Sequence, residues 1–146
     1  MASLRDLFNE GERAFNAHDI DAEMDLYAAD AEFTGPGGMQ LKGIDAIRQF
    51  TQGWFQGFPD AKIRTDKYIE ADDTIVQEGV FIGTHTGVFP TPMGDIPPTG
   101  KRVEGRFADV FVVKNGKFVT DHLFFDRMDL MEQLGLVPAP AGAAAG

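Results

Sequence analysis

The chain has 146 residues, no cysteine, and 13 Lys and Arg against 23 Asp and Glu, a formal charge of −10. That length suits one domain able to bury its own core. Without cysteine there are no disulfides, thiolate metal sites or Cys nucleophiles, and the acidic balance repels phosphate backbones and anionic membranes, so nucleic acid is not an expected partner. At 43% hydrophobic residues, including 13 Phe, the chain is too apolar to be a disordered acidic tract.

No window holds about 18 uninterrupted apolar residues, so no membrane span is expected. Charges appear at once in Met1–Asp6, with no signal-like apolar run, and a cytoplasmic location is the simplest expectation. The first element is a helix. Leu4, Leu7, Phe8, Gly11, Ala14 and Phe15 recur at spacings of three and four, and Ser3 is placed to cap it. After a break at Asn16–Asp19, a second short helix carries Ile20, Met24 and Tyr27 on one side, with Asp19 as its cap. Residues 31–34 are extended, Gly35–Gly38 turn the chain, and 39–41 return as a partner. Ile44, Ile47, Phe50, Thr51, Trp54 and Phe55 form a third amphipathic helix, closed by Gly57 and Pro59.

The period then changes. Residues 61–70 alternate weakly, Asp72-Asp73 turn, and 74–85 read as a long strand. A loop with four prolines spans 88–100. Strands at 102–113 and 118–126 flank Asn115-Gly116, a pair suited to a tight hairpin because it tolerates positive φ. A short helix at about 127–134 ends at Gly135, before an Ala/Gly/Pro tail at 137–146. Helices early and strands late give an α+β fold, with helices packed on one face of a curved antiparallel sheet, in a single domain over 1–136.

The chain lacks a P-loop, a His-Glu-x-x-His helix and a Gly-x-Ser-x-Gly elbow. Its three histidines, His18, His85 and His122, are too scattered to suggest a metal site. The reactive groups left are carboxylates and His on the late strands. Phe107, Asp109, Phe111 and Val113 share a face that is apolar except for Asp109, and a carboxylate among aromatics has its pKa raised toward general acid or base use. Asp121 and His122 point to opposite faces, so at most one lines an interior pocket. Pairing 114 with 117 sets Asp109 opposite His122 and Val110 opposite Asp121; a one-residue bulge would instead set Asp109 opposite Asp121. Asp126 is placed to cap the last helix. His85, in Gly83-Thr84-His85-Thr86-Gly87, stands at a strand end, either structural or at a pocket mouth. Tyr27, Phe33 and Trp54 supply apolar area, and Tyr27 and Trp54 add polar tips for a ligand.

Ala14-Phe15-Asn16-Ala17-His18-Asp19, followed by Leu26-Tyr27-Ala28-Ala29-Asp30-Ala31-Glu32-Phe33, resembles the opening of nuclear transport factor 2-like domains. Phe81–Gly87, Ile96-Pro97-Pro98-Thr99-Gly100-Lys101, Asn115-Gly116-Lys117 and Gln133-Leu134-Gly135 are together similar to the SnoaL-like polyketide cyclase (ester cyclase) family. The likeness spans residues 4–136. It implies a cone-shaped curved sheet around a pocket closed by helices, no cofactor, no metal, a homodimer, and proton transfer on a small hydrophobic carbonyl compound such as a polyketide, by aldol cyclisation or isomerisation. In the family the key Asp stands on the last strand, commonly after a Trp, with a His on the strand before. By spacing, those positions fall on Leu123, His122 and Asp109, so the acid role would pass to Asp109 or Asp121, with His122 as the alternate. Tyr27, Phe33, Trp54, Phe81 and Phe107 would form the apolar wall and His85 a contact at the mouth. Two other readings use the same fold: a non-catalytic binder of an apolar ligand, which Leu123 in the acid position favours, and a dimerising scaffold with a filled core.

Overall fold

A computed structural model describes residues 3–138. Ser3 caps α1 (Leu4–Asn16) as its position implies: its hydroxyl accepts from the Asp6 amide and the Asp6 carboxylate accepts from the Ser3 amide. Asp19 accepts from the Ala22 amide at 3.1 Å to start α2 (Ile20–Met24). Between them His18 takes a left-handed conformation, φ 55°. Its ring stacks on Phe55 at 4.1 Å and its Nε2 lies 2.7 Å from the Ala61 carbonyl oxygen. The Asn16 side chain both donates to and accepts from the Ile63 backbone. The break between the helices is therefore a clamp onto the start of β3.

The remaining elements are β1 (Tyr27–Gly35), β2 (Met39–Lys42), α3 (Ile44–Gly57), β3 (Lys62–Ala71), β4 (Thr74–Thr84), β5 (Phe89–Thr91), β6 (Gly94–Ile96), β7 (Arg102–Lys114), β8 (Lys117–Phe125) and α4 (Arg127–Gln133). Asp126 caps α4 by accepting from the Asp129 amide at 3.0 Å. Six strands form one sheet in the order β2-β1-β8-β7-β4-β3. The fold is α+β with N-terminal helices on a curved sheet, as the sequence implies, but the sheet is mixed. β1 runs parallel to β8, while β3-β4-β7-β8 are antiparallel neighbours.

Two expectations change. Tyr27 does not continue α2 but opens β1, which is longer than residues 31–34. The proline-bearing loop folds part of itself into the small β5–β6 hairpin, with Phe89 opposite Ile96. The tail expected from 137 lies, from residue 139 on, outside the described residues.

The last hairpin also departs from both expected registers. Lys114 pairs with Lys117 and Val113 with Phe118, but the next pair is Val112 with Thr120, so Val119 bulges without a partner. Beyond the bulge Phe111 faces Asp121, Val110 faces His122 and Asp109 faces Leu123. The bulge resets the alternation, so that Phe118 and Asp121 are both buried, at 3% exposure, while His122 is exposed.

The core has two parts. One gathers Leu7, Phe8, Met24, Phe33, Ile75 and Phe118 beneath the N-terminal helices. The other gathers Phe58, Val103, Phe89, Leu130 and Leu134 beneath α4 and the small hairpin. Trp54 stands by the second, with Phe81, Phe89 and Phe125 at centroid distances of 5.1, 4.8 and 5.6 Å. Among the described residues no helix is long and apolar enough to cross a membrane.

Asn115 and Gly116 have φ of 53° and 73°, the two positive values a type I′ turn requires. Asn115→Val is expected to lower stability by about 1–2 kcal/mol in urea unfolding, because a β-branched residue is poorly accommodated there. An unchanged midpoint would mean the turn does not hold this geometry in solution.

Candidate active site

The interior is not filled. A cavity of about 160 Å³ lies between the concave sheet face and helices α1 to α4. Its wall is mostly aromatic, with Phe33, Phe50, Trp54, Phe81, Phe107 and Phe125 among the lining residues. The polar exceptions are chiefly acidic, and three carboxyls beside a tyrosine define one part of the cavity: Glu23, Asp109 and Asp121 with Tyr27.

Backbone register brings this group together. Asp109 on β7 faces Leu123 on β8, so Asp121, two residues along the same face, is its diagonal neighbour. On the other flank of β8 the parallel pairing sets Phe33 beside Asp121. The Tyr27 hydroxyl donates to Asp121 Oδ2 at 2.7 Å. On the far side of β7, Gln77 of β4 pairs with Asp109. Gln77 Nε2 donates to Thr65 Oγ1 at 2.9 Å, and the Thr65 hydroxyl donates to Glu12. Glu12, Thr65 and Gln77 thus make a second polar chain, whose ends Glu12 and Gln77 line the cavity.

The carboxyls cannot all be charged. Asp109 Oδ1, Asp121 Oδ1 and Glu23 Oε2 are buried and receive no hydrogen bond from an N–H or hydroxyl group. Burial pushes the Asp109 carboxyl well up from the ordinary carboxylate range, and the Asp121 charge adds to it. Burial also raises Asp121, against the lowering effect of hydrogen bonds from Asp109 and Tyr27. A proton on Asp109, donated to Asp121, provides the bond that two facing carboxylates would lack. Asp121 then accepts from Asp109 and from Tyr27. Glu23 is pushed up to about 8, first by burial and then by the charge of Asp121. Burial likewise raises the Tyr27 hydroxyl, which therefore acts as a donor.

Of the residues singled out from sequence, Tyr27, Phe33, Trp54, Phe81, Phe107, Asp109 and Asp121 all line this cavity. Leu123, in the family's acid position, lines it too, and the carboxylate stands two residues earlier on the same face. His122 does not line it: the alternation beyond the bulge turns it to the exposed face. His85 does not line it either. It is fully buried, with its ring 5.3 Å from Phe58, and its Nδ1 accepts from the Thr99 amide at 3.2 Å, which ties the loop before β7 to the end of β4. Sequence reasoning missed Glu23. A signal was present, because Ile20, Glu23, Met24 and Tyr27 share the spacing of one helix face and three of them had already been assigned inward. Among the described residues no group of three or more His, Cys, Asp or Glu is arranged to hold a metal ion.

Glu23 has a stability consequence. Its folded pKa, about 8, exceeds its ordinary value of 4.5, so the folded state holds the extra proton between those values. Stability should therefore fall as pH rises from about 4.5 to 8. Glu23→Gln is expected to match the parent protein at pH 5 and to exceed it at pH 9 by roughly 1–3 kcal/mol in urea unfolding. An equal difference at both pH values would show that Glu23 is not held neutral in the fold.

The model of the SnoaL-like polyketide cyclase family matches residues 6–134. No curated protein matches the chain at a significant level. Solved structures share the fold. AclR from Streptomyces galilaeus, a candidate hydroxylase, is 20% identical with a TM-score of 0.79, over 93% of this chain and 83% of that one. IdmH from Streptomyces antibioticus, a candidate polyketide cyclase, is 25% identical with a TM-score of 0.75, over 90% and 97%. A Catenulispora acidiphila protein with a ketosteroid isomerase-like fold, in complex with trimethylamine, is 17% identical with a TM-score of 0.75, over 92% and 96%. With nearly its whole described length matched by the family model, the chain belongs to the SnoaL-like polyketide cyclase family.

Proposed function

We propose that the protein is an enzyme that moves a proton on a small hydrophobic carbonyl compound, of polyketide type, without a cofactor, leading to aldol cyclisation or isomerisation. The observation that carries this reading is the buried Asp109–Asp121 pair, with Tyr27 donating to Asp121, set in an otherwise aromatic cavity. A cavity of this chemistry takes up an apolar ring system and excludes water from the reacting carbon. Asp121 is the base. The hydrogen bonds from Tyr27 and Asp109 oppose the rise that burial gives its pKa, which favours Asp121 as the ionised member of the pair. Removal of a proton beside the carbonyl gives an enol or enolate, which either attacks a second carbonyl in the same molecule or is reprotonated at another carbon. The family membership and the likeness to IdmH support a polyketide-type ligand. The trimethylamine complex of the Catenulispora neighbour supports small-molecule binding in this fold.

The same reading includes a homodimer and a cytoplasmic setting. Phe124 of β8 and Ile69 of β3 are 58% and 48% exposed, and a second copy would cover apolar area of this kind. Light scattering should give twice the chain mass.

A simple enolisable ketone, 2-tetralone, tests the chemistry without knowledge of the natural substrate. The protein should accelerate exchange of its α-protons in D2O, read by NMR. Asp121→Asn should abolish the acceleration while binding, read by Trp54 fluorescence, persists. Tyr27→Phe should move the acid limb of the pH–rate profile upward, because loss of the hydroxyl removes a bond that lowers the Asp121 pKa. Ketone binding without exchange would replace this reading with that of an apolar-ligand binder.

A further inference from the structure

Moving a proton from carbon to a carbonyl oxygen takes an acid as well as a base. The pair on β7 and β8 supplies only the base, because the Asp109 and Tyr27 protons are both directed at Asp121. Glu23 lines the same part of the cavity from α2. It caps nothing: α2 is capped by Asp19. Among the described residues it forms no ion pair, and the salt bridge at this helix joins Asp21 to Arg48. The one cation among the cavity-lining residues, Arg106, is paired with Glu78 at 3.0 Å. Glu23 Oε2 is nevertheless buried without a partner. An acid on a cavity wall that is buried at a cost to folding, serves neither as cap nor in an ion pair, and keeps an unpartnered oxygen is placed for a ligand.

We infer that Glu23 is the second proton-transfer residue of this cavity, giving its proton to the carbonyl oxygen of a neutral ketone whose α-carbon proton goes to Asp121. The inference rests on the proton-transfer reading above and adds its missing half. In the forward step the C–H bond breaks, its proton joins Asp121, its electron pair forms the C=C bond, and the carbonyl oxygen takes the proton from Glu23. The products are an enol, a neutral Asp121 and an ionised Glu23. In an aldol closure the enol proton returns to Glu23 as the new C–C bond forms, and Asp121 protonates the new alkoxide. No external acid, oxidant or co-reactant is needed.

The same arrangement defines the ligand class. With Glu23, Asp109 and Asp121 grouped in a cavity whose lining guanidinium is already paired, the site selects a ketone without a carboxylate or phosphate near the reacting carbon. The titratable groups whose charges couple to Glu23 are Asp121, Asp109 and Tyr27, which line the same cavity. All three are neutral or anionic, so they favour the protonated form of Glu23, which holds its proton up to about pH 8.

The test compares the parent protein, Glu23→Gln and Asp121→Asn in the 2-tetralone exchange assay from pH 5 to 10. Glu23→Gln keeps the size of the side chain and a hydrogen-bond donor but has no proton to transfer. It should bind 2-tetralone within about twofold of the parent by Trp54 fluorescence, yet exchange it about 100-fold more slowly. The parent should lose activity above pH 8, and Glu23→Gln should lack that alkaline limb. A carboxylate-bearing analogue of the ketone should bind at least about tenfold more weakly to the parent. A parent that exchanges 2-tetralone, with a Glu23→Gln variant of equal rate and unchanged alkaline limb, would overturn the role of Glu23 and leave the Asp121 reading standing. A parent with no exchange activity would overturn both.

Discussion

The register of β8 is the constraint on which the rest depends. This strand lies between β7, to which it is antiparallel, and β1, to which it is parallel. Side chains alternate between the two faces of a sheet, so a shift of one residue would carry Asp121 to the outer face and bring His122 inward. The bulge at Val119 prevents this. It lets the Asn115-Gly116 turn close with Lys114 opposite Lys117 while Asp121 still arrives inside, diagonal to Asp109 and within reach of Tyr27. One extra residue in one strand thus reconciles the geometry of a tight turn with that of the site.

The electrostatics follow from where the carboxyls lie. The aromatic wall gives them little solvent and its one guanidinium, Arg106, is paired with Glu78, so the folded state meets their cost with protons and with one phenol hydroxyl. The result is an asymmetric set: burial raises all three carboxyls, and only Asp121 has donors, Tyr27 and Asp109, that oppose the rise. A set of acids spread in this way by their surroundings is what acid/base chemistry near neutral pH requires. It also opposes folding, so the site draws on stability supplied by the two apolar clusters beside it.

Much of this was legible in the sequence where the signal was local. Ser3, Asp19 and Asp126 cap their helices through side-chain chemistry confined to three residues, and Asn115-Gly116 specifies its turn by backbone conformation alone. Asp109 was identifiable because it interrupts an apolar alternation. The parallel β1·β8 pair was not legible, since strands far apart in the chain leave no mark of which edge they share. Neither was the inward face of β8: the bulge at Val119 breaks the period of two on which the argument relied, so both faces read as mixed. Tyr27 was assigned to the right environment on the wrong element, because the end of α2 and the start of β1 bury the same ring. Glu23 was passed over because a charged residue on a short helix is ordinarily solvated. His85 drew attention for its chemistry, but its ring is taken up in holding the loop before β7.

The central claim is that the cavity holds carboxyl protons at neutral pH, with Asp121 as the ionised member. Side-chain carboxyl NMR of the intact protein, titrated from pH 3 to 9 with assignment by Asp109→Asn, Asp121→Asn and Glu23→Gln, measures this directly. The account predicts that Asp109 titrates well above the ordinary carboxylate range, that Glu23 titrates near 8 and that Asp121 ionises before either. Titration of all three near the ordinary carboxylate value of about 4 would contradict it, for the cavity would then be open to water and without a tuned acid or base.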